Sequence, residues 1–326
     1  MRRRYRSAVP GLAVLVLLGC GGVRVREQKV ALDLAWPLGQ PRVRLERVIQ
    51  QRSTSAPLVS WLAGSGSTPV FARPHGIAWD GPDLIVADPG ARTILRITAS
   101  GKIVSSPENA AGAAVGVAVC PAGIVASDSE GGRVAVLGPD LRRRRWLAEG
   151  LSRPTGLACE GDTVFVAETG AHRVLALGPD GARRIIGERG EGPGRFNFPT
   201  VLALAGGSLL VGDTLNFRVQ RLDPANGSFV DAFGQLGDAG GEMPRLKGVA
   251  VDSAGNVWVS DAYLDQVSLY NKNGSLLLTL GGPGSEPGRF SFPAGLAANP
   301  DGRMAVVDVL NRRVQVFRLV DQDRKP

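Results

Sequence analysis

A five-residue phrase recurs six times along this chain, and it constrains the fold more than any other feature. It reads Pro-x-Gly-apolar-Ala in Pro74-His75-Gly76-Ile77-Ala78, Pro154-Thr155-Gly156-Leu157-Ala158 and Pro293-Ala294-Gly295-Leu296-Ala297. Weaker copies are Ala114-Val115-Gly116-Val117-Ala118, Pro199-Thr200-Val201-Leu202-Ala203 and Leu246-Lys247-Gly248-Val249-Ala250. Successive copies lie 40, 40, 45, 47 and 47 residues apart. A period of this size marks a stack of equivalent units, none of which buries its apolar face alone.

Each copy runs into a turn cluster such as Asp80-Gly81-Pro82-Asp83 or Asn299-Pro300-Asp301-Gly302, where the chain must reverse. A second aliphatic run then ends in an acid: Asp88, Asp128, Glu168, Asp213, Asp261 and Asp308. A third run follows five or six residues later, as in Val174–Leu177, and a fourth after another turn, as in Arg183–Ile186. These runs are β-branched or aliphatic and too short for helices. Four strands per period make a blade, so the expected fold is all-β: a six-bladed β-propeller of four-stranded antiparallel blades. Forty-four glycines, 22 prolines and only 6% aromatic residues suit short strands and tight turns.

From Phe71 to Val320 the chain resembles the NHL-repeat family of six-bladed propellers. The best copy is Phe196 to Gly234, with Asp213-Thr214-Leu215-Asn216-Phe217-Arg218-Val219-Gln220. The linkers Gly192-Pro193-Gly194-Arg195-Phe196 and Glu286-Pro287-Gly288-Arg289-Phe290 match as well. The sixth copy stops after its third strand, leaving an edge that needs a partner. Arg42–Ile49 alternates in part and precedes the first blade, so it is expected to close the last blade as its outermost strand. A short helical turn is expected at Ala56–Leu62.

If the first strand is innermost, the loops before strand one and after strand two share one face. That face carries the residue before each first-strand glycine or its equivalent: His75, Val115, Thr155, Thr200, Lys247 and Ala294. It also carries the six acids and their basic followers Arg92, Arg133, Arg173, Arg218 and Arg313, with Gln266 in the fifth blade. An acid and base repeated in nearly every blade read as architecture that braces a loop. Departures from the repeat are better candidates for binding: His75, His172, Lys247, Asp265 and Arg312, with Thr155 and Thr200 beside them. No cofactor is expected. The resemblance implies that lyase relatives use several channel histidines and lactonase propellers use carboxylate and amide ligands for calcium. Here the chain has two histidines in all, and a calcium site from carboxylates near the axis stays open. There is no Gly-x-Ser-x-Gly elbow and no Cys–His pairing. Cys120 and Cys159 end first strands of adjacent blades, but their offsets from the blade glycines differ by one. That difference turns them to opposite faces, and two buried thiols are expected.

The N-terminus is an address. Met1–Arg6 is basic, Ala8–Leu18 is apolar but too short to span a bilayer, and Leu17-Leu18-Gly19-Cys20 resembles a bacterial lipobox. That resemblance implies acylation of Cys20; an ordinary cleaved signal or an uncleaved anchor is the plainer alternative. Gly21, in place of an acid, favours the outer membrane by the same resemblance. The expected organisation is therefore a signal peptide at 1–19, a lipidated tether at 20–41, the propeller at 42–320 and a tail at 321–326. The formal charge of +8 falls to +4 once the four arginines of 1–19 are removed, which weakens any case for nucleic acid. The run Arg142–Arg145, followed by Trp146, reads as a charged, solvated edge or as a contact with anionic headgroups. Two functions compete. One is a non-catalytic scaffold of the cell envelope, a monomer or a subunit of an envelope complex, holding a protein, peptide or glycan on its loop-rich face. The other is a metal-dependent lyase or lactonase acting at the axis.

Overall fold

The computed structural model describes residues 34–37, 42–50 and 70–320. The signal region, Cys20, the turn expected at 56–62 and the tail at 321–326 lie outside the described residues. The rest is a six-bladed β-propeller. The blades span 76–105, 114–148, 154–186, 199–233, 246–281 and 293–319, and each runs as an antiparallel meander. In the third blade, for example, Pro154–Glu160, Thr163–Glu168, Arg173–Leu177 and Arg183–Ile186 pair in sequence order. The second strands end on the acids that the sequence places there, from Asp88 to Asp308.

The last blade closes as expected. Val43–Ile49 pairs antiparallel with Arg313–Leu319, from Val43 opposite Leu319 to Ile49 opposite Val314. Its Val43, Leu45, Val48 and Ile49 are buried, while Arg44 and Glu46 face solvent or the sheet edge. Glu46 accepts from Arg303 and Arg318 at 3.2 Å. Burial raises its carboxyl pKa, but these two guanidiniums outweigh that and hold it below the usual value. Within the segment expected to be a tether, Ala35–Trp36 forms a two-residue strand that pairs on the outer side of Val43–Ile49, giving this blade a fifth strand. The Trp36 ring lies 5.8 Å from Phe317, edge-on.

Among the described residues the apolar core falls into six clusters, and each lies between two neighbouring blades. One joins blades one and two through Ile85, Ala87, Ile94, Ala126, Ala135 and Leu137. Another joins blades three and four through Phe165, Val174, Leu202 and Leu209. Strand alternation explains this: successive residues of one strand point to opposite faces, and each face meets a different neighbour. The glycine of the recurring phrase follows from the same packing. First strands crowd at the axis, and a Cβ on Gly76 would come within 2.6 Å of the Val115 carbonyl oxygen. Gly116, Gly156, Gly248 and Gly295 face the next blade's backbone as closely.

The expectation of two free thiols is overturned. Cys120 and Cys159 form a disulfide across the interface between blades two and three, with Cα atoms 5.8 Å apart. The one-residue offset does turn them to opposite faces of their own blades. In a ring of stacked blades, the opposite faces of adjacent blades are the two that meet.

Candidate binding site at the axial mouth

The six acids face inward and hold the loop that leads into their own blade. Asp88 accepts from the Ala72 and Arg73 amides, Glu168 from Ser152, Asp213 from Asn197, Asp261 from Arg245 and Asp308 from Ser291, all at 2.6–2.8 Å. All six are buried. Burial pushes the Asp308 carboxyl up even though Ser291, Asn311 and Arg313 donate to it. Arg133, Arg173, Arg218 and Arg313 donate through Nε to the acid five residues back, at 3.0, 2.6, 3.0 and 2.7 Å. Arg92 lies only four residues after Asp88. It takes up a left-handed φ of 52° and reaches Glu130 of the next blade at 2.7 Å instead. In the fourth and sixth blades a buried glutamine completes the brace. Gln220 and Gln315 donate to the acid and to the Arg195 and Arg289 carbonyls, and accept from Gly194 and Gly288. These oxygens and nitrogens are engaged in building loops, which leaves them little capacity for a ligand.

On the same face a cavity of about 80 Å³ opens at the axis. Among its lining residues are His75, Val115, Thr155, Thr200 and Lys247, each just before a first-strand glycine or its equivalent. Thr155 and Thr200 are already occupied. The Thr155 hydroxyl bonds the Thr200 carbonyl at 2.9 Å and the Thr169 hydroxyl at 2.6 Å, and Thr200 bonds Thr214 at 2.5 Å. They tie blade three to blade four and brace the loops beside them. Lys247 makes no hydrogen bond or ion pair among the described residues. Burial lowers its pKa, as do the charges of Arg245 and Arg153, with Asp261 opposing. The Nδ1 of His75 lies 3.2 Å from the Val115 carbonyl, so Nδ1 carries the proton and Nε2 is left with a lone pair. Burial and the Lys247 charge push the His75 pKa down to about 4, and the ring is neutral at pH 7.

His172, Asp265 and Arg312 do not line this cavity. They occupy the loop between strands two and three, each at a left-handed φ of 51–55°. His172 Nδ1 accepts from the Phe198 amide at 3.3 Å, and its ring packs edge-on against Phe198 at 4.5 Å. Asp265 accepts from the Phe292 amide at 2.6 Å. Both therefore act as clasps between adjacent blades, while Arg312 is exposed. The two histidines do not share a site. Among the described residues no three His, Cys, Asp or Glu side chains converge in a group able to hold a metal.

Two sets of residues on this face escaped the repeat-based reading. Arg73, Arg153 and Arg245 stand two residues before His75, Thr155 and Lys247, in alternate blades. All three are exposed and none pairs with a carboxylate among the described residues; Arg245 lies over the Phe292 ring at 5.1 Å. The signal was present in the sequence, but at this position the other blades have Ala113, Phe198 and Phe292, so no single repeat announces it. The second set is Leu215, Tyr263 and Leu310, two residues after the acid in blades four, five and six, with 45%, 67% and 62% of their surface exposed. Blades one to three have Gly90, Glu130 and Gly170 there. The Arg142–Arg145 run lies at the rim of blade two, in and just before its outer strand. Trp146 is flanked by Arg133 and Arg143 at 4.0 and 4.4 Å, and Arg144 pairs with Asp140.

No family model matches the chain. It is 28% identical over 174 residues to human E3 ubiquitin-protein ligase TRIM32, and 28% identical over 146 residues to the mouse protein. These alignments take in 47% and 40% of this chain but only 25% and 21% of those proteins, so the chain spans about a quarter of the length of the relatives it matches. The likeness supports the NHL-like character of the repeats. Among solved structures, a gluconolactonase from Xanthomonas campestris is similar, with a TM-score of 0.60 at 18% identity over 77% of this chain and 87% of that one. A virginiamycin B lyase from Staphylococcus aureus is similar too, with a TM-score of 0.56 at 13% identity over 76% and 95%. At such identities the likeness concerns the fold alone.

Proposed function

We propose that this chain is a cell-envelope lipoprotein, anchored through Cys20, whose propeller is a non-catalytic scaffold. It holds a protein, peptide or glycan on the face that carries the axial mouth. The observation that carries this reading is how polar and apolar groups divide on that face. Its regular acids and arginines are spent on loop closure, while its irregular side chains are exposed and without partners: Arg73, Arg153, Leu215, Tyr263 and Leu310. Exposed apolar side chains set beside free cations are what a binding surface presents. The Cys120–Cys159 disulfide supports an exported location, because such bonds persist in oxidising compartments. In this reading the outer membrane is the favoured site and nucleic acid has no part.

The test pairs two measurements on the full-length protein purified in detergent. A photoactivatable residue replacing Tyr263 is expected to crosslink an envelope component, and one replacing Arg142, at the opposite end of the blades, is not. Metal analysis is expected to find no stoichiometric ion. A stoichiometric metal with no crosslinked partner would reverse the reading in favour of a lyase or lactonase.

A further inference from the structure

We propose that the axial mouth is a carboxylate-binding site, and that its ligand is an acidic peptide segment that also carries apolar side chains. This rests on the scaffold reading above and narrows it from protein, peptide or glycan to one chemistry.

Lys247 lines the cavity. Three exposed arginines, Arg73, Arg153 and Arg245, each stand two residues before a lining residue (His75, Thr155 and Lys247) in blades one, three and five. Blades one, three and five lie about a third of a turn apart in a six-bladed ring. The groups sense one another: Arg245 and Arg153 act on Lys247, and Lys247 and Arg73 act on His75. These like charges repel, and the carboxylate that opposes them at Lys247 among the described residues, Asp261, is already engaged. Asp261 is buried and accepts from the Arg245, Tyr263 and Leu264 amides, and Asp265 accepts from Phe292. A partly buried ammonium without an acceptor is costly unless something supplies one. An oxyanion at the mouth would supply it to Lys247 directly and bring the arginines into bidentate reach. The neutral His75 adds an acceptor, Nε2, matched to an N–H donor such as a peptide amide. The cavity, about 80 Å³ and lined by Lys247 and His75, has room for a group the size of a carboxylate.

The flanking surface selects among anions. Leu215, Tyr263 and Leu310 project from three successive blades on the same face. An acidic peptide with interspersed apolar residues satisfies both the cations and this arc. A sulfated glycan or a phosphate polymer satisfies the cations alone.

The probe is a fluorescein-labelled octapeptide of alternating glutamate and leucine, titrated against the full-length protein in detergent by fluorescence anisotropy. Glutamine in place of glutamate is expected to weaken binding at least tenfold, and serine in place of leucine about fivefold. Lys247→Met and Arg153→Ala are each expected to weaken it at least fivefold, and Arg142→Ala to leave it unchanged. Circular dichroism melting of each variant confirms that the propeller is intact. Equal binding of the glutamine peptide, or indifference to Lys247→Met and Arg153→Ala together, overturns the proposal. So does a heparin hexasaccharide or a single-stranded DNA octamer that binds more tightly than the peptide. The broader reading fails separately. A partner crosslinked at Tyr263 whose capture ignores Lys247→Met overturns only the carboxylate site, whereas no crosslinked partner overturns both.

Discussion

His75 shows how a single residue's chemistry is set by its blade. Half-buried at the axial mouth beside the Lys247 charge, its ring is held neutral, with its pKa lowered from an ordinary 6.5 to about 4. Between those two values the unfolded chain takes up a proton that the folded chain refuses. Stability is therefore complete above pH 6.5 and falls as the pH drops towards 4, by at most about 3 kcal/mol. Urea midpoints at pH 7 and pH 4.5 are expected to differ more for the parent than for His75→Gln, which lacks the titrating ring. A comparable slope in both would show that His75 does not contribute. The disulfide is the second residue-scale feature. Cys120 and Cys159 are 39 residues apart in sequence and close a loop through two blades, so Cys120→Ser is expected to cost about 2–4 kcal/mol. Calorimetry under non-reducing conditions reads this loss. Mass spectrometry of the intact parent is expected to show no free thiol at either position.

At the scale of the element, the strand Val43–Ile49 matters most. It contributes four buried aliphatic side chains to the last blade and covers the edge of Arg313–Leu319. At about 1.5–3 kcal/mol for each such side chain, its removal forfeits an amount comparable to the whole stability of a typical domain. A chain lacking 42–49 is expected to aggregate or to melt far below the parent. The milder Leu45→Ala is expected to cost about 2–5 kcal/mol by leaving a cavity, read as a shift in the thermal midpoint. The strand was legible in the sequence because the sixth copy ends one strand short and a partly alternating segment lies upstream. The strand Ala35–Trp36 was not legible, since the sequence reads 20–41 as a tether. A two-residue strand has no period to read, and this one is set by its contact with Val43–Ile49 and Phe317.

At the scale of the whole molecule, the ring must close where blade six meets blade one. The Gly295 amide donates to the His75 carbonyl at 3.0 Å, and Trp79 Nε1 reaches the Ala297 carbonyl at 3.0 Å. A Cβ on Gly295 would press on that same His75 carbonyl. Gly295→Ala is expected to cost about 1–3 kcal/mol by overpacking the seam, measured by denaturant unfolding. Gly81→Ala serves as the comparison: nothing lies within 4 Å of its added Cβ, so any loss there comes from its left-handed φ alone.

The sequence by itself determined the blade count, the order of four strands per blade, the acids that end the second strands and the strand that completes the ring. These are local facts, written in turn chemistry, alternation of period two and a repeat near 40–47 residues. Only the tertiary structure decided which residues from different blades face one another. It joined Cys120 to Cys159, brought Arg153 and Arg245 to where their charges act on Lys247, and separated His172 from His75. The physical reason is that side chains in a propeller meet between sheets. Which face of one blade lies against which face of the next is set by how twisted sheets stack around the axis, and no single repeat encodes that.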